Sequence, residues 1–332
     1  MKKILYVGNL NKGGTSLERY KIISSEMPDS KGVNVAPTYT SSSFILRKLF
    51  SIFQAIVGSN KIRKLILIEL EHGNYDCVWI DKGNFITKEL IFQIKTYNCK
   101  VIHYCQDHIG SYSHNFGKDY FSTLPYIDLQ ITTNRSDYVY YENFGYNVIL
   151  DKFCYCFREN LTQVDLKKEY DIAFIGHHEE YTEEVIRQLS VNFKVVVFGP
   201  KWIKVSRVCD VKPYTVWGDD YINTIRKSKI VLSLYSRYNL NTNTLRPYEI
   251  TAAGSLLVTE RTKDITNDFI DRKEIVCFDN IGELNNVLSY YLQHEDEREE
   301  IAGNGHRKTM ENYLVDKVFG ATFKAALSKV NL

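Results

Sequence analysis

Short apolar runs of strand length recur along this chain. Each is followed by a stretch with helical spacing, and the whole alternation runs through twice. The first series holds ILYVG (4–8), CVWID (77–81), KVIHYCQD (100–107), LQITT (129–133) and NVILD (147–151), with helices expected from about Leu17, near 87–97 and near 135–144. Such runs are largely apolar on both faces rather than at every second residue, which is the signature of parallel strands covered on both faces. The chain turns polar around 157–169. The alternation then restarts with YDIAFIG (170–176), a helix at 180–190, KVVVFG (194–199), a helix at 218–227 and KIVLSL (229–234). It continues with a helix at 247–253, SLLVTE (255–260), IVCF (275–278), a helix at 281–293 and a largely helical end over 296–329. The 332 residues suit two domains. The expectation is therefore an α/β protein of two Rossmann-like domains facing a central cleft, residues 1–158 and 159–332. Ligands of such sheets bind beyond the carboxyl ends of the strands, so chemistry is sought in the loops that follow them.

Charge and cysteine usage remove several classes of function. Lys and Arg number 42 against 40 Asp and Glu, without the basic excess of a nucleic-acid binder. The seven cysteines form no CxxC pair, which argues against both a zinc site and a disulfide framework. The opening MKKILYVGNL loses its apolar run at Gly8 and Asn9 and reads as a first strand rather than a signal peptide. No stretch of 18 apolar residues is present, and the expected compartment is the cytoplasm. Residues 28–43 are polar and break regularity. The segment 44–64 has helical spacing and carries Arg47, Lys48, Lys61, Arg63 and Lys64. That face reads either as a peripheral contact with the inner face of an anionic membrane or as an ordinary solvated surface.

Four loops carry candidate chemistry. Gly13, Gly14 and Thr15 follow the first strand, where glycines admit a ligand to the backbone and a helix start favours an anion; Ser16 is the expected cap. Gln106, Asp107 and His108 end a strand. Asp107 or His108 there can act as a general base or grip a hydroxyl, with His103 and His114 as alternatives. Gly176 and His177 follow another strand, where a glycine admits a diphosphate and the imidazole can donate to it. The richest loop is NTNTLRPYEITAAGSLLVTE (241–260). Arg246 can pair with phosphate oxygens, Pro247 suits the first helical turn, and Glu249 can accept from the two vicinal hydroxyls of a ribose. Against each stands an ordinary turn or a helix start that uses its acid only to favour the macrodipole.

The stretch NTLRPYEITAAGSLLVTE resembles the nucleotide-sugar site of GT-B-fold glycosyltransferases, in the group-1-like branch typified by the spore maturation protein CgeB. Asn243, Arg246, Glu249, Ala253, Gly254 and the run from Leu256 to Glu260 carry the match. DCVWIDKG (76–83), VIHYCQDH (101–108), YIDLQITTNRSDYVYYENFG (126–145) and YDIAFIGHH (170–178) agree in kind. The resemblance implies an N-terminal acceptor domain, a C-terminal nucleotide-sugar domain, and a last helix (about 313–330) crossing back to the first domain. It implies that Glu249 holds the ribose, that Arg246, His177, Gly176 and Gly14 lie at the diphosphate, and that Tyr214 and Trp217 in segment 212–218 lie near the base. Asn243 and Thr244 would face the donor sugar, and Asp107 or His108 the acceptor. Transfer would be independent of metal, with no cofactor beyond the nucleotide-diphosphate sugar; Asp219 and Asp220 are read as capping a helix rather than as a metal motif. Retaining relatives often carry a second glutamate eight positions before the ribose-binding one. Asn241 stands there, so the stereochemistry stays open.

The expected activity is transfer of a sugar from a nucleotide-diphosphate donor to a hydroxyl of a glycan, lipid-linked or protein acceptor. Two alternatives are a nucleotide-sugar epimerase of the same fold and a non-catalytic nucleotide-sugar-binding protein. The sugar, the base, the acceptor and the oligomeric state are not legible at this level.

Overall fold

The computed structural model describes residues 2–35, 60–83, 85–109, 120–152, 156, 166–202, 209–237 and 242–332. The chain divides into two compact units, Met1–Lys152 with Phe319–Leu332, and Phe153–Val318. Among the described residues each unit is built on one six-stranded sheet, parallel throughout.

In the first unit the elements are β1 (Ile4–Gly8), α1 (Thr15–Glu26), β2 (Lys31–Asn34), α2 (60–72), β3 (Cys77–Asp81), α3 (Lys88–Lys95), β4 (Lys100–Cys105), α4 (Tyr120–Thr123), β5 (Leu129–Thr132), α5 (Arg135–Asn143) and β6 (Val148–Leu150). The strand order is β2-β1-β3-β4-β5-β6. Every residue of β1 and β3 is buried, as an apolar run in the middle of a two-sided sheet requires. One face packs Leu5, Val7, Val78 and Ile80 against Ile66 of α2, Leu90 and Ile91 of α3 and Tyr141 of α5. The other face presents Tyr6, Trp79 and Tyr104. Phe319 and Phe323 of the last helix lie edge-on or tilted to Trp79, at 5.9 and 5.8 Å.

The second unit holds β7 (Tyr170–Ile175), α6 (Glu180–Leu189), β8 (Val195–Phe198), β9 (Asp210–Lys212), α7 (Gly218–Arg226), β10 (Ser228–Ser233), α8 (Arg246–Ala253), β11 (Leu256–Glu260), α9 (Lys263–Asp268), β12 (Val276–Phe278), α10 (Ile281–Gln293) and α11 (Glu295–Asn312). Its strand order is β12-β11-β10-β7-β8-β9. Alternate residues along β7 and β10 divide between two cores. Ile172, Phe174, Ile230 and Leu232 meet α6 and α10, whereas Ala173, Ile175 and Val231 meet α7 and α8. The last helix, α12 (Val315–Lys329), begins in this unit, and its residues from Phe319 count with the first.

Several local expectations are corrected. β2 falls inside the stretch read as irregular. Only Val33 of its KGVN is buried, so an edge strand of this kind leaves no apolar run to read. β9 was missed for the same reason, its three residues being half-buried or exposed. α1 starts at Thr15 with Gly14 at its N-cap; Ser16 lies inside the helix, its hydroxyl 3.0 Å from that of Tyr6. Trp217 occupies the N-cap of α7, and Asp219 and Asp220 sit in its first turn, where they favour the macrodipole rather than cap the helix. The amphipathic segment 44–58 lies outside the described residues, as do Asn241 and His114. Among the described residues no helix is long and apolar enough to cross a membrane.

Candidate functional site

In the second unit, the loop after β7 meets the start of α8, the helix that follows β10. Arg246 opens that helix, Pro247 sits in its first turn, and Gly254 closes it in the left-handed conformation (φ 83°). The Arg246 guanidinium lies 5.8 Å from the Phe174 ring of β7. One of its nitrogens would stand 3.3 Å from a Cβ placed at Gly176. Any side chain at position 176 would therefore press on both the Phe174 ring and this cation. Gly176 accepts from Trp202 Nε1 through its carbonyl at 2.9 Å. A Cβ at Gly199 would fall 1.9 Å from that carbonyl oxygen, and Gly199 holds φ 152°, so the turn tolerates only glycine there.

One turn along α8, Glu249 Oε2 accepts from Tyr221 OH of α7 at 2.9 Å. Burial pushes the Glu249 carboxyl above the usual range, while the Tyr221 hydroxyl and the Arg246 charge pull it back. Burial, with Glu249 beside it, pushes the Tyr221 phenol well above its ordinary value. Tyr221 was not anticipated: it lies 28 residues from Glu249, and the match needs both helices in place.

His177, with 62% of its side chain exposed, bonds Glu179 Oε1 through Nε2 at 2.8 Å. The buried Glu179 also accepts from the Arg237 amide at 3.1 Å, which ties the loop after β7 to the loop after β10. Tyr214 is 55% and Trp217 71% exposed, large rings held out between β9 and α7. Asn243 is turned inward: its amide donates to Tyr248 OH at 2.7 Å, and its oxygen accepts from the Thr244 amide at 2.9 Å. Thr244 is half-buried beside it.

In the first unit, Gly14 and Gly13 (φ 84°) form the turn into α1. Asp107 pairs with Lys82 Nζ at 2.7 Å. His108 Nδ1 lies 2.5 Å from Asp137 Oδ1, and Asp137 Oδ2 accepts from the Ile109 amide at 2.9 Å. Asp137 is 1% exposed, and burial pushes its carboxyl up against the pull of those two donors. An Nδ1–H committed to a carboxylate makes Nε2 the basic atom of the imidazole. Asp137, in the first turn of α5 behind the Asn134 cap, escaped the sequence reading because its partner is 29 residues away. His103, one of the alternatives, is fully buried between Lys82 O and Tyr120 OH, and burial lowers its basicity. It is part of the core.

Two parallel α/β units in one chain are the GT-B architecture, as the similar solved structures show. Residues 178–321 match the family model described as Glycosyl transferase-like. Among curated proteins none matches by sequence. In three dimensions the chain is similar to sucrose-phosphate synthase from Thermosynechococcus elongatus, with TM-score 0.65 and 10% identity over 99% of this chain and 100% of that one. It is similar to HepE of Anabaena in complex with UDP-glucose, with TM-score 0.63 and 10% identity over 99% and 100%. A glycosyltransferase from Rickettsia africae gives TM-score 0.63 and 11% identity over 99% and 98%. At such identities the likeness establishes the fold.

Proposed function

We propose that the chain is a cytoplasmic glycosyltransferase that moves a sugar from a nucleotide-diphosphate donor to an acceptor hydroxyl. The observation that carries this reading is the trio of Arg246, Glu249 and Tyr221 set against the Gly176 turn. The UDP-glucose held by the similar HepE structure and the family match over 178–321 support it.

In this reading Arg246, the amides at the start of α8 and His177 meet the diphosphate. They are placed where negative charge grows as the bond from the sugar C1 to the phosphate oxygen breaks. Glu249, oriented by Tyr221, accepts from the ribose hydroxyls. Tyr214 and Trp217 offer rings to the base, and Thr244 lies toward the donor sugar. The first unit takes the acceptor. His108 Nε2 receives the hydroxyl proton as the acceptor oxygen bonds C1, Asp137 stabilises the imidazolium, and the nucleoside diphosphate leaves with the electron pair. Acceptors of the glycan, lipid-linked and protein classes all supply such a hydroxyl.

A thermal-shift panel of UDP, GDP, CDP, ADP and dTDP tests the site, because a ligand that binds only the folded state raises the midpoint. One of the five is expected to do so, and Arg246→Ala to abolish the shift. If none shifts the melt, the donor-site assignment fails. Sugar turnover that needs no acceptor would instead indicate an epimerase.

A further inference from the structure

The face of the first sheet beneath α1 buries a guanidinium. Arg19 is 1% exposed. Its Nε donates to Asp81 Oδ2 at 2.7 Å and its Nη2 to Asp81 Oδ1 at 3.1 Å, a two-point pair with a carboxylate that is itself buried at the end of β3. The guanidinium carbon lies 4.4 Å from the centre of the Tyr104 ring. Nη2 also reaches Thr15 Oγ1 at 3.3 Å. With its amide oxygen turned toward Arg19, Gln106 accepts from Nη2 at 2.8 Å and from Nη1 at 2.5 Å.

A buried ion pair is weak grounds for stability, since apolar residues of similar volume often serve a core as well or better. An apolar pair would not make the outward bonds. Thr15 closes the Gly13–Gly14 turn after β1, and Gln106 immediately precedes Asp107 and His108 after β4. Asp81 anchors the base of the guanidinium, and its planar fork reaches both loops at once, a geometry the single nitrogen of lysine lacks.

We propose that Arg19 is a positioning residue: fixed by Asp81, it holds the loop at 13–15 and the loop at 106–108 in register with each other. The inference rests on the acceptor role given to His108, and one arm of its test does not.

The test compares Arg19→Met combined with Asp81→Leu, and Arg19→Lys alone, with the wild type. Hydrogen exchange at the amides of 14–16 and 106–109 is expected to quicken about tenfold or more in both variants, with the strands of the sheet unchanged. Transfer kcat/KM for the acceptor is expected to fall about 100-fold, as for a reacting group displaced by about an ångström. The affinity for the nucleotide that shifts the melt is expected to stay at the wild-type value. Loop exchange at wild-type rates in the double variant overturns the proposal, as does full recovery of exchange and turnover in Arg19→Lys. Should the double variant fail to fold, Arg19→Lys decides by the same two readings. Should no donor support transfer even in the wild type, the functional reading fails while the exchange arm still judges Arg19.

Discussion

The two units use charge in opposite ways. In the second, the ionisable groups that matter lie within four residues of each other, Arg246 and Glu249 on one helical turn, half-buried against a glycine turn. In the first, they are drawn from far apart and anchored on buried carboxylates: Arg19 on Asp81, the half-buried His108 on Asp137, and Tyr104 and Thr322 on Asp151. A pair set by one helix start needs few partners from elsewhere, here Tyr221 of α7, and can stay partly open to a charged ligand. A set assembled from several strand ends needs a buried scaffold to keep its parts aligned. The charged pair of the second unit is thus local in origin, and those of the first are tertiary.

The largest effects should separate the units cleanly. Under the proposed function, His108→Ala is expected to lower kcat by about 10²- to 10⁴-fold, the usual contribution of a general base, while leaving unchanged the affinity for whichever nucleotide shifts the melt. Arg246→Ala should act on binding: two charge-assisted bonds at about 1.5 kcal/mol each correspond to a dissociation constant for that nucleotide about 100-fold higher by calorimetry. If His108→Ala weakens the nucleotide as much as Arg246→Ala does, the proposed division of labour between the units is wrong.

The same division explains what could be read from the chain in advance. The parallel sheets were legible because central strands such as ILYVG and the IAFI of β7 are unbroken apolar runs, and apolarity survives any detail of packing. The helix start at Arg246, Pro247 and Glu249 was legible because a proline for the first turn and a closing glycine bracket one short stretch. β2 and β9 were not, since edge strands bury too little to leave a pattern. Asp137, Tyr221 and Arg19 were not, since each acquires meaning from a partner 28 to 62 residues away. Gly199 belongs with them: its need for glycine arises from the Gly176 carbonyl on the neighbouring strand end.

Gly199→Ala is the next effect in size. The added methyl group meets the Gly176 carbonyl at 1.9 Å, so one of the two turns must shift. The expected cost is about 1–3 kcal/mol of stability, with weaker binding of the nucleotide that shifts the melt and amide exchange at 106–109 unaltered. Loss of stability without loss of nucleotide affinity would show that the Gly176 turn does not shape the proposed nucleotide site.

The smallest effect probes the sealed charges of the first unit. Asp151 is 1% exposed; Tyr104 OH donates to it at 2.5 Å and Thr322 Oγ1 at 2.7 Å. Burial pushes its carboxyl above the ordinary range, and the two hydroxyls and Arg19 only partly offset this. The folded unit therefore holds this proton more tightly than the unfolded chain, whose carboxyl titrates near about 4. Between that value and the raised one, folding takes up a proton. The stability this supplies is fully present below the window and is lost as pH rises through it, by no more than about 1.4 kcal/mol per pH unit for one group. Asp151→Asn has no proton to lose. Urea unfolding of both proteins from acid to neutral pH should show the variant gaining on the wild type as pH rises. If the wild type gains instead, the two donated hydroxyl bonds outweigh burial and the ionised carboxylate is favoured in place.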